Sequence, residues 1–235
     1  MIENLNNIDL TVAIPAYHEE ENLRILIPRL HKVLQELHLK YEILIVDTIS
    51  PLDNTEKCCA EFGVNYIRRY GDNTFGSAVR TGIRNAQGIY TIFMDADGSH
   101  SPEFIPRLWE HRRTHQVVIA SRYVEGGFTD NPHSLILMSR ILNWIYAFVL
   151  NLSCKDVSNS YKLYQTGQLK RLQLYCNNFD VVEEILFKLA RNNVELTIKE
   201  VPFSFKKRIF GNTKRNLVSF VVSFIVTLIR LRFGK

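Results

Sequence analysis

Cysteine is scarce in this 235-residue chain, and its four cysteines form no C-x-x-C pair or other metal-ligand cluster. Cys58 and Cys59 are adjacent, which is a poor geometry for a simple disulfide bridge, and Cys154 and Cys176 are isolated. We therefore expect free thiols in a reducing compartment and no thiolate metal site. The first ten residues are polar rather than basic and then apolar, so a secretory leader is not expected and the sequence predicts a cytoplasmic protein.

Acidic residues are absent from Val201 to Lys235, although the whole chain has 29 Lys and Arg against 24 Asp and Glu. Basic segments of this kind bind phosphates, whether those of nucleic acid, lipid headgroups or nucleotides. The cations of the segment are Lys206, Lys207, Arg208, Lys214, Arg215, Arg230, Arg232 and Lys235.

Two apolar segments have patterns that fit helices at a membrane surface. Leu217 to Ile229 has no charge but reaches only about 20 Å as a helix, against ~30 Å for the hydrocarbon core of a bilayer. With cations on both sides, it predicts an amphipathic helix in the headgroup layer, and a docked core helix is the alternative. Leu135 to Leu152 is apolar except for Ser139, Arg140 and Asn143, a pattern that fits an interfacial helix and a core helix equally well.

Strand and helix signals alternate along the first two thirds of the chain. Strands separated by helices predict an α/β fold, with a mostly parallel central sheet covered by helices on both faces. No domain boundary is visible before about residue 205, so we expect one domain at 1–205 and a basic, apolar, membrane-proximal segment at 206–235. The predicted strands are Leu10 to Ile14, Tyr41 to Val46, Val64 to Arg68, Tyr90 to Met94 and Gln116 to Ser121.

Polar side chains follow the ends of several predicted strands. Ligands of parallel sheets bind beyond the carboxyl ends of the strands, so these residues should converge on one crevice. They are Tyr17, Glu19, Asp47, Asp95, Asp97, Arg122 and Tyr123.

The sharpest local signal is the D-A-D sequence at Asp95 to Asp97, directly after a predicted buried strand. Two carboxylates this close can share one divalent cation, and Mg²⁺ or Mn²⁺ prefers a few carboxylates together with water and phosphate oxygens. A surface turn with Asp97 and Gly98 as turn residues is the alternative. The strand before D-A-D and the S-H-S-P sequence after it, which opens a helix, favour the metal.

Seven motifs in the same order resemble the inverting glycosyltransferases of family 2, which have the GT-A fold, and within them the dolichol-phosphate-mannose synthase branch. They are V-A-I-P-A-Y-H-E-E-E-N (12–22), I-V-D-T-I-S-P-L-D-N-T (45–55), the glycine-alanine pattern at 76–88, M-D-A-D-G-S-H-S-P (94–102), S-R-Y-V-E-G-G (121–127), D-V-S-N-S-Y-K-L-Y (156–164) and V-P-F-S-F-K-K-R-I-F-G-N-T-K (201–214). The departures from the usual family pattern are His18 for asparagine, Thr48 for aspartate, an inserted Leu52 and Ser160 for glycine.

The resemblance assigns roles to particular residues. Nucleotide-sugar binding would fall to Pro15, Tyr17, Glu19, Asp47 and Asp95, and a metal would be held by Asp95, Asp97 and Ser99. The acceptor phosphate would be bound by Arg122, Ser139, Arg140, Arg208 and Lys214. Of these residues, Asp97, Arg122, Arg208 and Lys214 would be catalytic.

The function implied by this resemblance is hexose transfer, with mannose or glucose as the sugar, from a GDP- or UDP-hexose to a polyprenyl or dolichyl phosphate. Domain 1–205 would be catalytic and would act at the cytosolic face of a membrane, where a partner subunit could supply an anchor. A lipid phosphate is mostly anionic at pH 7, so it needs cations to position it rather than a base.

Three other functions fit the sequence less well. Another family 2 activity, with a lipid- or glycan-linked hydroxyl as acceptor in cell-envelope polysaccharide synthesis, is the main alternative. A nucleotidyltransferase would open with a glycine-rich basic loop, whereas P-A-Y-H-E-E has neither glycine nor cation. A nucleic-acid-binding tail would interleave its charges, whereas the apolar run here is unbroken, so no nucleic-acid partner is expected.

Overall fold

The computed structural model describes residues 8–193, 195–206 and 217–233, and of residues 217–223 it describes the backbone alone. Arg208 and Lys214, two of the predicted phosphate-binding residues, lie outside the described residues. The strands in chain order are β1 (Leu10–Pro15), β2 (Tyr41–Asp47), β3 (Asn65–Arg68), β4 (Tyr90–Phe93), β5 (Val117–Ser121), β6 (Phe128–Thr129), β7 (Lys162–Gln165), β8 (Ile198–Pro202) and β9 (Ser204–Phe205).

Seven strands form a central sheet in the order β3-β2-β1-β4-β7-β5-β8. β1 pairs in parallel with β2 and β4, β2 with β3, and β5 with β8. β7 is antiparallel to both of its neighbours, so the sheet is mostly parallel, as the sequence predicts. The sequence does not predict β7, because its four residues, K-L-Y-Q, carry polar groups at both ends. β6 and β9 form a separate two-stranded parallel sheet.

Helices cover both faces of the central sheet. Alternate residues of each strand point to opposite faces, and on β1, Val12 and Ile14 enter one buried cluster while Ala13 enters another. The first cluster includes apolar residues of α1, α2 and α4, and the second includes those of α3 and of α5 to α8. A 3₁₀ turn at Pro102–Phe104 precedes α4. The helices are α1 (Glu20–Glu36), α2 (Thr55–Phe62), α3 (Phe75–Asn85), α4 (Ile105–Glu110), α5 (His133–Leu150), α6 (Thr166–Leu169), α7 (Val181–Asn192) and α8 (Leu217–Phe233).

The two apolar segments of the sequence are α5 and α8, and they pack against each other. The ring centroids of Tyr146 on α5 and Phe224 on α8 lie 4.0 Å apart, and the Tyr146 hydroxyl donates to the Phe224 carbonyl oxygen at 3.1 Å. Thr227 on α8 is buried and donates to Asp180 at the start of α7. α8 is therefore docked on the domain through one face. The predicted division of the chain near residue 205 stays a prediction.

α5 is not a fully buried core helix. Its buried residues are Asn143, Tyr146 and Leu150, whereas Trp144 and Phe148 are 66% and 74% exposed and stack on each other. On α8, Ile225, Val226, Ile229 and Phe233 are likewise exposed. α5 is also the one helix, among the residues that the structure describes, that is long and apolar enough to cross a membrane by length and composition.

A glycine at the start of α3 allows the close approach of another segment. A methyl group on Gly76 would lie 2.1 Å from the carbonyl oxygen of Cys176 and 2.8 Å from Cα of Asn177. Both neighbours are backbone atoms, and the Gly76 N–H donates to the Asn177 carbonyl oxygen at 2.7 Å. The turn before α7 is thereby held against α3.

We expect Gly76→Ala to lower the free energy of unfolding by about 2 kcal/mol or more, because neither backbone segment can move without losing that hydrogen bond. Gly167→Ala in α6 is the matched control. Beyond its chain neighbours and the backbone of its own helix, no atom lies within 4 Å of the Cβ it would add, so the stability of this variant should stay unchanged or rise by about 0.4–1 kcal/mol. Urea unfolding of both variants checks this, and equal midpoints would contradict it.

Candidate active site

The carboxyl ends of β1, β2 and β4 lie side by side in the sheet, as the predicted crevice requires. Pro15 pairs with Val46 and Ala13 pairs with Phe93, so the segments after these strands leave from the same edge. Tyr17 is 43% exposed there, and Asp95 and Asp97 are half-buried. The structure thus brings the residues predicted after these three strands to one edge.

A buried arginine that the sequence analysis missed holds these strand ends together. The Arg69 guanidinium donates to backbone carbonyl oxygens of three segments, reaching Ala16 after β1, Asp47 at the end of β2 at 3.0 Å, and Asn73 and Thr74 before α3 at 3.1 Å each. Burial lowers the pKa of Arg69. Arg69 directly follows β3. The search for polar residues after strand ends would have found it if that search had included β3.

Asp47, predicted to bind the nucleoside, is fully buried. Its carboxylate accepts from the Thr48 N–H at 2.7 Å and from the Tyr66 hydroxyl at 3.1 Å, and burial raises its pKa. The carboxylate of Glu19 accepts from Asn22 at 2.5 Å. The nucleoside-binding roles of Pro15, Tyr17, Glu19 and Asp47 stay predictions.

Two departures from the family pattern touch each other. His18 has a left-handed backbone with φ of 60°, and its Nδ1 lies 3.3 Å from the carbonyl oxygen of the inserted Leu52. The neighbouring Asp53 accepts from the Glu20 N–H at 3.0 Å, at the start of α1. The loop that carries the insertion therefore contacts the first motif through both Leu52 and Asp53.

The D-A-D sequence forms a tight turn after β4, with Gly98 at φ of 80°. The Ser99 N–H donates to Oδ1 of Asp97 at 3.0 Å, and the Ser160 hydroxyl donates to Oδ1 of Asp95 at 3.0 Å. The Asp95 N–H donates to Nδ1 of His100 at 3.0 Å, so the histidine carries its proton on Nε2, 3.8 Å from Oδ2 of Asp95. Burial lowers the pKa of His100 and keeps this imidazole neutral.

The donor atoms at this turn suit a hard divalent cation. Asp95 and Asp97 offer carboxylate oxygens, and the buried Ser99 hydroxyl has no hydrogen-bond partner among the described residues. Those residues contain no group of three or more His, Cys, Asp or Glu side chains that could enclose an ion. Mg²⁺ sites commonly use one or two carboxylates plus substrate phosphates, so an oxygen set of this size fits an ion shared with a diphosphate.

On the other side of β7, a buried ion pair fixes Arg122. Its Nε and Nη2 donate to the two carboxylate oxygens of Asp156 at 2.9 and 2.7 Å, and its backbone N–H donates to Oδ2 of Asp156 at 2.8 Å. Burial alone would raise the pKa of Asp156, but the guanidinium holds it below its ordinary value. Glu200 on β8 supports the pair by accepting from the Asp156 N–H at 2.9 Å and from the Ser121 hydroxyl at 2.8 Å.

Three of the predicted acceptor residues, Arg122, Ser139 and Arg140, meet around the ring of Tyr123. The guanidinium carbons of Arg122 and Arg140 lie 5.0 and 5.5 Å from its centroid, and its hydroxyl donates to Ser139 at 2.8 Å. Asn143 donates to the carbonyl oxygen of Ser139 at 2.8 Å. A cavity of about 330 Å³ opens here, lined by Arg122, Tyr123, Gly127, Phe128, Thr129, Asp130, Asn131, His133, Ile136 and Arg140.

One loop, residues 156–160, contacts both halves of the site, since Asp156 binds Arg122 and Ser160 binds Asp95. The ammonium of Lys162 is fully buried beneath this loop and donates to the carbonyl oxygens of Val157, at 2.9 Å, and of Asn159. Burial lowers the pKa of Lys162 to about 8. Apart from the cation in the sixth motif, no sequence pattern indicates this contact.

Glu184, by contrast, does not face the acceptor cavity. It accepts from the backbone N–H groups of Tyr175 and Cys176 at 3.0 and 2.8 Å and pairs with Lys188 at 2.8 Å. It therefore stabilises the turn that packs on Gly76 and has a structural role at the start of α7.

Comparisons with known proteins agree with this geometry. The model of glycosyl transferase family 2 matches residues 11–172. The chain is 34% identical to a dolichol-phosphate mannosyltransferase of Pyrococcus furiosus, over 87% of this chain and 58% of the relative, so it spans less than two thirds of that protein. It is 30% identical to a polyprenol monophosphomannose synthase of Mycolicibacterium smegmatis, over 86% of this chain and 79% of the relative.

A solved structure shares the fold. The crystal structure of glucosyl-3-phosphoglycerate synthase from Mycobacterium tuberculosis with Mn²⁺, UDP-glucose and phosphoglyceric acid superposes with a TM-score of 0.74 at 18% identity, over 96% of this chain and 80% of that chain. The resemblance drawn from the motifs and the predicted fold class are both confirmed.

Asp156→Asn should lower the free energy of unfolding by about 3–5 kcal/mol, because it leaves the buried Arg122 charge without its counter-ion. The pKa of Asp156 is depressed in the folded protein. Its contribution to the free energy of unfolding is therefore present above about pH 4 and is lost as the pH falls further. The gap between wild type and variant in urea unfolding should therefore shrink in acid.

The control is Glu56→Gln, which removes the carboxylate from the exposed pair with Arg68 at 3.0 Å. Its unfolding free energy should stay nearly unchanged, because water screens both charges. Equal losses in the two variants would show that burial of the Arg122 pair has no energetic importance.

Proposed function

Because the chain belongs to glycosyl transferase family 2, we propose that it transfers a hexose, mannose or glucose, from a nucleotide diphosphate sugar to a polyprenyl or dolichyl phosphate. In support, the relatives named above are a dolichol-phosphate mannosyltransferase and a polyprenol monophosphomannose synthase. The nucleotide is a GDP- or UDP-sugar. The site of action is the cytosolic surface of a membrane, to which the protein binds peripherally.

The observation that carries the proposal is the arrangement of Arg122, Arg140 and Ser139 around Tyr123, beside the exposed apolar residues of α5. Guanidinium groups bind phosphates through paired, charge-assisted hydrogen bonds. His133, Ile136 and Arg140 line the cavity from the first turns of α5, and the same helix exposes Trp144 and Phe148 further along. A ligand with an anionic head and a long apolar tail matches this surface.

On the donor side, Asp95, Asp97 and Ser99 would hold Mg²⁺ or Mn²⁺. When bound there, the ion neutralises the diphosphate and makes it a better leaving group. Tyr17, Glu19 and Asp47 would contact the nucleoside at the adjacent strand ends. The 156–160 loop contacts both Asp95 on this side and Arg122 in the acceptor cavity, and so holds the two parts of the site at a fixed distance.

The transfer itself would be a direct displacement. A phosphate oxygen of the acceptor attacks the anomeric carbon from the face opposite the diphosphate. The bond from that carbon to the diphosphate oxygen breaks, which inverts the anomeric configuration.

Arg140, together with Arg208 and Lys214 from the C-terminal segment, would hold the acceptor phosphate. Asp156 fixes the guanidinium of Arg122 in the same cavity. No base is needed, since the attacking oxygen is already anionic.

A second candidate is transfer to a hydroxyl acceptor, and one observation favours it. Asp130 is a carboxylate that lines the cavity, and a hydroxyl acceptor requires a general base in that place. The two candidates therefore differ in what they require of Asp130.

We expect Arg140→Ala to raise the KM for polyprenyl phosphate about tenfold or more, because it removes a charge-assisted hydrogen bond to the phosphate. The affinity for GDP and UDP should stay within about twofold. The measurement is transfer from GDP-mannose, GDP-glucose and UDP-glucose to undecaprenyl phosphate, with nucleotide binding followed by calorimetry.

Asp130→Asn is the matched control, since it changes a charge in the same cavity. With a phosphate acceptor its kcat should be preserved, whereas with a hydroxyl acceptor it should fall by about 10²-fold or more. A wild-type enzyme that ignores polyprenyl phosphate, combined with an inactive Asp130→Asn, would overturn the proposal in favour of the second candidate.

The membrane surface is tested separately. Replacing Trp144 and Phe148 together by serine should weaken binding to anionic vesicles by roughly tenfold or more, because two aromatic side chains no longer enter the interface. Ile89→Ser is the control, since Ile89 is 51% exposed but precedes β4 at the opposite edge of the sheet. Vesicle co-sedimentation measures both. Unchanged binding in the double variant would assign the vesicle contact to other residues of the chain, and a wild-type chain that does not bind vesicles would favour attachment through a partner subunit.

A further inference from the structure

Ser160 occupies the position where the family usually has glycine, and it contacts the first carboxylate of the D-A-D turn. Its hydroxyl donates to Oδ1 of Asp95 at 3.0 Å, joining the 156–160 loop to the turn after β4. Ser160 itself is 9% exposed, and the side chain of Asp95 is 28% exposed.

The backbone on both sides of Ser160 is held by other elements. The side-chain amide of Asn159 donates to the carbonyl oxygen of Ala120 on β5. The Tyr161 hydroxyl donates to the carbonyl oxygen of Ser101 at 2.8 Å, and Lys162 donates to that of Asn159. The serine hydroxyl is therefore a donor at a fixed place, and the carboxylate must adopt the rotamer that reaches it.

Asp95 is also held at its backbone. Its N–H donates to His100, whose ring stacks on Tyr161 with centroids 4.7 Å apart and planes tilted by 14°. A carboxylate has about four lone-pair positions, so the bond from Ser160 uses one and leaves the others for a cation. Because the Asp95 rotamer is already fixed, a cation does not have to pay the conformational entropy of ordering it.

We propose that Ser160 is a positioning residue that pre-orients Asp95 for the complex of a divalent cation with the diphosphate of the nucleotide. This inference rests on the proposed function, because it assigns the donor diphosphate and its cation to the D-A-D turn. Ser160 acts on the cation through Asp95, so its effect appears in the part of the nucleotide affinity that depends on the metal.

The test is calorimetric titration of GDP and of UDP into the full chain, with and without Mn²⁺, together with the electron paramagnetic resonance signal of free Mn²⁺. Ser160→Ala and Ser160→Gly should weaken Mn²⁺-dependent nucleotide binding by about three- to tenfold, since both lose the hydroxyl. Metal-free nucleotide affinity should stay within about twofold of wild type. Ser160→Thr keeps a hydroxyl and should restore the metal dependence.

Ser101→Ala is the matched control, because its hydroxyl also donates to a carboxylate, that of Glu103, outside the D-A-D turn. It should leave the metal dependence unchanged. Melting temperatures of all variants should stay close to wild type, since water can replace the lost donor at the partly exposed Asp95.

Four results would overturn the inference. An alanine variant with the metal dependence of wild type would show that Ser160 does not position Asp95, and the proposed function would stand. Equal losses with and without Mn²⁺, or a loss in glycine but not in alanine, would assign Ser160 a purely structural role. A wild-type chain whose affinity for GDP and UDP ignores Mn²⁺ would overturn both the inference and the metal part of the proposed function.

Discussion

The architecture of the site depends on the buried ion pair between Arg122 and Asp156. Two charges removed from water are tolerated only when each satisfies the other, and here the pairing is bidentate and supported by a third bond from the Arg122 backbone. This pairing fixes the 156–160 loop, which leads into β7, against the end of β5. From that fixed point the loop reaches Asp95 on one side, while Arg122 presents its cation to Tyr123 on the other. The relative position of the two halves of the site therefore depends on this one ion pair.

Local sequence patterns predict the parts of the fold that depend on periodicity. Apolar runs separated by helical patterns give the parallel core β1 to β4, and the strand-end rule places Asp47, Asp95 and Asp97 at one edge. The contacts that hold this edge together could not be predicted in the same way. Lys162 and Glu200 are charged residues in short strands, and they find their partners through the tertiary fold.

The departures from the family pattern show a related limit. His18 and the inserted Leu52 look like two separate irregularities in the sequence, yet they contact each other at 3.3 Å. Thr48, in place of the usual aspartate, donates its N–H to Asp47 and its hydroxyl to the Ser50 carbonyl oxygen at 2.6 Å. Substitutions that weaken a motif match can therefore be parts of one locally consistent loop. Sequence comparison scores them one at a time, whereas the fold joins them.

The position of the cavity at the start of α5 has an energetic consequence for a lipid acceptor. Moving an isoprenoid chain from a bilayer into water costs about 0.8 kcal/mol for each CH₂-sized group, so complete extraction of a long chain is prohibitive. The exposed residues Trp144 and Phe148 lie on the same helix as Arg140, which lines the cavity. A surface-bound enzyme of this shape would meet the phosphate at the headgroup level while the hydrocarbon stays dissolved in the lipid. The length of the tail would then contribute little to the activation barrier, and acceptors of different chain length would react at similar rates.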